Sequence, residues 1–199
     1  MSRPLILASG SSARAAVLSA AGLAFTIERP NVDERALEAP LLAAGITPAA
    51  LAAELADAKA AEVSARFPGA LVIGADQTLD LDGARFVKPE SMADARAQLL
   101  RLRDREHHLH SAVALASGGA VIERFTVSPR LEMRAFSPAL LEAYMAAEGA
   151  EILHCVGAYR IEGPAIQLFR RVEGDQSSIL GLPILPLLER LRALGELSA

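Results

Sequence analysis

LILASGSSAR, residues 5–14, is the stretch on which the fold reading turns. Leu5 to Ala8 is a short apolar run that reads as a buried strand, and SGSSAR turns into an apolar helix running to about Ala21, with Gly22 as its stop. Strand, small-residue turn and helix in that order open an α/β sheet, where such turns often border a ligand crevice. Small residues let the backbone approach a phosphate. The N–H groups and hydroxyls of Ser9, Ser11 and Ser12 can donate to it, Arg14 can pair with it, and the helix dipole adds partial positive charge. The stretch by itself fits an ordinary helix cap with spare serines equally well.

Working outward, Thr47-Pro48 starts a helix with Leu51, Leu55 and Ala58 at helical spacing, predicted to reach about Arg66. Leu71 to Ala75, LVIGA, reads as a central strand with Asp76 at its C-terminal end. Asp82-Gly83 predicts a tight hairpin, and Ser91 with Asp94 a capped helix through about Leu102. Strands are expected over His110–Ala116 and Ala120–Phe136, the second bent at Pro129. A helix follows from Ser137-Pro138 to about Gly149. Strand-like sequence then covers Gly157–Val172, broken at Gly163-Pro164, and a last helix covers Pro183–Leu194.

Four groups carry candidate chemistry. The SGSSAR turn is one. Asp76, a carboxylate at a strand end, can hold Mg²⁺ or orient a water, against the alternative of a solvated turn residue. Asp33 and Glu34 in NVDER read as a solvated loop unless they join Asp76 in an oxygen-rich metal site, with Glu34 the stronger participant. Lys59, four residues after Leu55, falls on or beside the inward stripe of its helix, where a cation wants an anion. Lys88 precedes Pro89, which biases it towards extended backbone. Either lysine is compatible with a plain surface position. His107, His108, His110, His154 and Cys155 lack the spacing of a zinc motif. A Cys155–His154 catalytic pair is disfavoured because neighbours on a strand point to opposite faces.

Composition sets the outer bounds. The chain has 199 residues, 52% of them hydrophobic but only 4% aromatic, which suits helices packed on a sheet and argues against disorder. A net charge of −4 without a basic run disfavours a nucleic-acid polymer as partner and leaves room for a small anionic substrate. The single cysteine predicts a reducing compartment, with the cytoplasm as default. No apolar run is long enough for a signal core or membrane span, so no membrane association is expected.

Taken together the motifs resemble the Maf family over nearly the whole chain. The family's SxSPxR motif matches Ser9 to Arg14, its VDE motif Val32 to Glu34, its helix lysine Lys59, its GAD motif Gly74 to Asp76, its KP motif Lys88-Pro89, and its histidine before a strand His107. HCVGAYRIEG through VEGDQSSILGLP is similar to the family's C-terminal half. The resemblance implies a single domain over 1–199, an elongated α/β mixed sheet flanked by helices, with two lobes around a central cleft. It also implies a nucleotide substrate, a divalent cation (Mg²⁺ or Mn²⁺), and a homodimer as a common state. The implied reaction is attack of water on the α-phosphorus of a nucleoside triphosphate, with pyrophosphate leaving. Asp76 would orient or deprotonate water or ligate the metal, Glu34 would help hold the metal, and Ser9, Arg14, Lys59 and Lys88 would cradle the phosphates, with Ser11 beside them. Gln77 and Glu162 stand where relatives acting on dTTP and UTP carry Thr and Gln, which resembles the 7-methyl-GTP branch; Glu162 could accept from guanine N–H groups. Ser12 replaces the usual proline. Ala13 stands where relatives carry Trp or Arg, which reshapes that part of the pocket. Two rivals are a sugar nucleotidyltransferase, whose paired glycines are missing here, and a nucleotide-binding regulator of septum formation without turnover.

Overall fold

The computed structural model describes residues 3–198. In chain order its main elements begin with β1 (Leu5–Ala8), α1 (Ser12–Ala20), β2 (Thr26–Ile27), α2 (Glu34–Ala43), α3 (Pro48–Arg66), β3 (Leu71–Leu81), β4 (Ala84–Phe86) and α4 (Met92–Leu102). They continue with β5 (Glu106–Ser117), β6 (Ala120–Val127), β7 (Arg130–Met133), α5 (Pro138–Glu148), β8 (Phe169–Glu173), α6 (Gln176–Ile179) and α7 (Ile184–Ala193). The fold is α/β, with a mixed sheet in the order β2-β1-β3-β5-β7-β8; β4 pairs with β3 and β6 with β5. No helix among the described residues is long and apolar enough to cross a membrane.

The chain divides into two compact units. The first holds residues up to Gln77, His110–Val127 and those from Asp175 onward; the second holds Thr78–Leu109 and Ser128–Gly174. In the first unit β1 runs parallel to both β2 and β3, pairing Leu5 with Leu71 and Ala8 with Gly74. Strand periodicity then sorts the side chains of β1 to two faces. Leu5 and Leu7 join Leu18 of α1 and Leu187 and Leu191 of α7. Ile6 and Ala8 join Val63 of α3 and Val72. A parallel sheet covered on both faces needs apolar residues at every position, and β1 supplies them.

A third cluster is built almost wholly of alanine: Ala52, Ala56 and Ala60 of α3 face Ala112, Ala114 and Ala116 of β5. Small side chains let the helix lie close to the sheet. The closest approach is at Gly74, where a Cβ would stand 2.4 Å from the Ala56 carbonyl oxygen and 2.7 Å from the Ala60 Cβ.

In the second unit the end of β3 and β4 form a hairpin turned by Asp82 and Gly83, while β7 pairs antiparallel with the start of β5 and with β8. Leu99 and Leu102 of α4, Leu131 and Met133 of β7, and Leu141 of α5 are fully buried there.

The structure departs from the sequence reading at several points. β3 does not end at Ala75 but continues to Leu81, so Asp76 lies within the strand. β5 begins at Glu106, which places His107 inside a strand rather than before one. The segment read as strand-like over Gly157–Val172 is mostly short 3-10 turns (Gly149–His154, Val156–Ala158, Pro164–Leu168), with strand only at β8. Gly157 and Ala158 both take positive φ (78° and 58°), and strand geometry is closed to such backbone. Helix α2 was not foreseen; it buries no residue and carries Pro40 inside, so it lacks an apolar stripe to read.

Candidate functional site

Four of the sequence-singled side chains meet in the first unit. Lys59 is carried by α3 on the sheet-facing side, one residue before Ala60, and only 7% of it is exposed. Its Nζ donates to Asp76 Oδ1 at 2.6 Å and stands 3.0 Å from Glu34 Oε1. The close packing at Gly74 is what allows a helix lysine to reach a carboxylate two residues along the strand. Asp76 is itself buried, whereas the Glu34 side chain is about half exposed. Asp33 is occupied differently: its side chain caps α2 by accepting from the Ala36 N–H at 3.0 Å, which leaves Glu34 as the member of the VDE motif that faces Lys59.

The SGSSAR turn completes this cluster. Ser11 caps α1, its hydroxyl accepting from Arg14 N–H at 3.4 Å, and the buried Ser9 hydroxyl accepts from Ser11 N–H at 3.2 Å. Ser12 and Ala13 lie in the first helical turn, whose N–H groups have no partner inside the helix. The Arg14 guanidinium donates through Nη1 to Ala75 O (2.8 Å) and Ser9 Oγ (3.2 Å), and through Nε to Gly181 O (3.0 Å). Burial pulls its pKa down, and the carboxylates of Asp76 and Glu34 push it back up. Arg14 thus shares one electrostatic neighbourhood with both acids. Gln77, next to Asp76 on β3, points its amide nitrogen at Ser111 Oγ (2.7 Å) and at the carbonyls of Ile179 (3.0 Å) and Ser178 (3.3 Å).

Two sequence-predicted residues belong to the second unit. Lys88 is exposed just after β4. Glu162 pairs with Arg160, whose Nε donates to Oε1 at 3.4 Å while its Nη1 reaches the buried Glu148 carboxylate at 3.3 Å. Burial pushes the Cys155 thiol up, the charge of Glu162 adds to that, and Arg160 and Lys88 oppose it. Lys88 and Glu162 therefore act on the same thiol.

His107 is buried in the second unit with Nε2 2.9 Å from the Tyr159 hydroxyl and Nδ1 without a partner among the described residues. Burial, helped by His108, pushes its pKa down to about 4, so it is a neutral packing residue against Tyr159 and Phe169. Among the described residues no group of three or more His, Cys, Asp or Glu is arranged to hold a metal ion. Ser111, Ser178 and Gly181 were not singled out by the sequence. For Ser111 the available signal is a serine inside an apolar strand run, HSAVALA, and for Ser178 and Gly181 it is their place in the VEGDQSSILGLP stretch.

Comparison with known proteins places this geometry in context. A family profile described as "Maf-like protein" matches residues 4–194. A nucleoside triphosphate pyrophosphatase of Gluconobacter oxydans is 52% identical, covering 100% of this chain and 98% of its own length. A 7-methyl-GTP pyrophosphatase of Mesorhizobium japonicum is 49% identical over 99% of both chains. A nucleoside triphosphate pyrophosphatase of Caulobacter vibrioides is 49% identical over 98% of both.

Proposed function

The chain belongs to the Maf family, and on that footing we propose that it is a nucleoside triphosphate pyrophosphatase. Water attacks the α-phosphorus, the bond from that phosphorus to the oxygen bridging it to the β-phosphorus breaks, and the products are the monophosphate and pyrophosphate. The observation that carries the reading is the meeting of Lys59, Asp76, Glu34 and Arg14 in one unit.

The chemistry follows from that meeting. A carboxylate buried on a strand and held by one lysine at Oδ1 keeps its other oxygen for a water or a cation, and it cannot swing away. Asp76 is the group that orients water and takes its proton as the O–P bond forms. Arg14 and Lys59 oppose the negative charge that spreads over the phosphoryl oxygens in the transition state. The N–H groups of Ser12 and Ala13 at the start of α1 and the hydroxyls of Ser9 and Ser11 bind phosphate oxygens.

The residues also fit a divalent cation. The two cations of the cluster, Arg14 and Lys59, are offset by the two carboxylates, so the cluster alone has no surplus positive charge for a triphosphate. Mg²⁺ is commonly held by one or two carboxylates with substrate phosphates and water completing the shell, and Asp76 with Glu34 are that kind of partial set. Bound there, Mg²⁺ or Mn²⁺ would supply Lewis-acid neutralisation of phosphate charge.

Lys88 and Glu162 are assigned through the resemblance, Lys88 to a phosphate and Glu162 to guanine N–H groups. Together with Gln77 they favour 7-methyl-GTP as the preferred substrate, and the name of the Mesorhizobium relative supports the same choice. A cytoplasmic location rests on the single cysteine, and a homodimer on the resemblance alone. The test is a product assay with Mg²⁺ and a panel of triphosphates including GTP and 7-methyl-GTP. Monophosphate and pyrophosphate in equal amounts support the reading, with 7-methyl-GTP fastest. Diphosphate and inorganic phosphate, or no turnover of any member, would refute it.

A further inference from the structure

Arg14 is held on three sides inside its own unit, through Ser9, Ala75 and Gly181, so both hydrogens of Nη1 and that of Nε are used. Nη2 has no partner among the described residues and is the edge left for a ligand. Two of the three holders belong to the strand and turn beside Arg14. The third, the Gly181 carbonyl, comes from a distant stretch and needs its own support.

That support is a buried polar knot. Gly181 follows α6 with φ +89°, a backbone shape that glycine takes readily, and a Cβ there would stand 3.2 Å from Arg14 Nε. Its N–H returns to Ser178 O at 3.1 Å. Ser178 O also accepts from the Ser111 hydroxyl at 2.6 Å and from Gln77 Nε2 at 3.3 Å, and Ile179 O accepts from the same Gln77 nitrogen at 3.0 Å. Ser111 and Ser178 are both fully buried, so no water can substitute for these bonds. At the other end of the turn Asp175 accepts from Ser178 N–H at 2.9 Å and from the hydroxyls of Ser177 and Ser178.

We propose that Ser111 and Gln77 are positioning residues for Arg14: by pinning the Ser178–Ile179 carbonyls they fix the turn whose Gly181 carbonyl aims the free edge of the guanidinium at a substrate phosphate. This rests on the reading that Arg14 binds phosphate. Gln77 then acts on the phosphate side of the substrate, through the turn it holds. Removing the Ser111 hydroxyl takes the shortest bond from Ser178 O and lets Gly181 relax, so Arg14 must be ordered at each binding event rather than beforehand.

The test is a double-mutant cycle on the full chain with Ser111→Ala, Arg14→Ala and the pair, read by calorimetric affinity for inorganic pyrophosphate with Mg²⁺ and by KM and kcat for 7-methyl-GTP. In the Arg14 background, Ser111→Ala is expected to weaken pyrophosphate binding about tenfold and to raise KM more than it lowers kcat. In the Arg14→Ala background the same change should cost less than about twofold, the non-additivity of residues acting as one. Ser111→Thr keeps the hydroxyl and should stay within about twofold of the unmutated protein. Equal losses in both backgrounds, or no loss in either, would overturn the proposal. Should Ser111→Ala not fold, Gln77→Met run through the same cycle carries the same expectation and the same refutation. Pyrophosphate binding without turnover would sink the proposed activity while leaving this cycle readable; no pyrophosphate binding at all would overturn the proposal.

Discussion

Replacing Gly74 by alanine should damage stability and turnover together, because one backbone contact sets the distance between α3 and β3. The added Cβ would stand 2.4 Å from Ala56 O and 2.7 Å from Ala60 N and Cβ. Ordinary contact needs about 3.4 Å, so the helix must retreat by roughly 1 Å, since neither backbone atom can rotate aside. Lys59 rides on that helix three residues after Ala56, and a rigid retreat of that size takes its 2.6 Å bond to Asp76 beyond hydrogen-bonding range. Overpacking of this kind costs about 1–3 kcal/mol, which for a chain of this size lowers Tm by roughly 2–12 °C. Misplacing a catalytic group by 1 Å can cost on the order of a hundredfold in rate. Thermal denaturation and pyrophosphate release on the same sample measure both. Gly69→Ala is the control, since nothing lies within 4 Å of a Cβ there. A Gly74→Ala protein with unchanged Tm and rate would refute the claim that this contact sets the geometry.

Further outcomes follow from other parts of the structure. Lys59→Met strands the buried Asp76 carboxylate and should cost up to about 3–5 kcal/mol, with Lys59→Met/Asp76→Asn recovering most of the stability but none of the activity; chemical denaturation reads the first and pyrophosphate release the second. His107 resists protonation until about pH 4 in the folded chain, whereas unfolded histidine binds a proton below about 6.5. Between those values the unfolded state binds more protons, so stability should fall by about 3 kcal/mol as pH drops through that window and then level off. His107→Phe should flatten that slope in urea titrations at pH 7 and 4.5, and an unchanged slope would exclude His107 as its source. Glu34→Gln should raise the Mg²⁺ concentration needed for half-maximal turnover severalfold with little change in Tm, because the side chain is half exposed; an unchanged Mg²⁺ dependence would remove Glu34 from the metal set.

Much of the first unit could be read from local pattern. β1, the turn, α1 and α3 declare themselves through apolar runs, the serine-rich turn and Thr47-Pro48, and the structure places their boundaries within a residue or two. The run of β3 was cut short at Ala75 because a charged residue looks like an end; Lys59 supplies the partner that lets Asp76 stay buried while Thr78, Leu79 and Leu81 continue the strand. The 3-10 stretch misled because Tyr159, Ile161 and Ile166 have strand-like chemistry, while the turn is set by positive φ at Gly157 and Ala158. In the cluster itself, the helix stripe points Lys59 inward towards an anion and the sequence pairs Glu34 with Asp76 at a metal site, but that the carboxylates facing Lys59 are Asp76 and Glu34 is seen only in the structure. The knot of Gln77, Ser111 and Ser178 was not anticipated, since it joins residues 34 and 67 positions apart and serine carries no periodic signal.

Pyrophosphate release by the Asp76→Asn protein, measured beside nucleotide affinity in the same preparation, tests most directly whether Asp76 activates the attacking water. Asparagine keeps the shape and can still bond Lys59 through its carbonyl oxygen, but it cannot take a proton. Turnover should fall by about 10²–10⁴-fold while nucleotide Kd stays within severalfold of the unmutated value. Turnover equal to that of the unmutated protein, or loss of nucleotide binding large enough to explain the fall, would contradict that role.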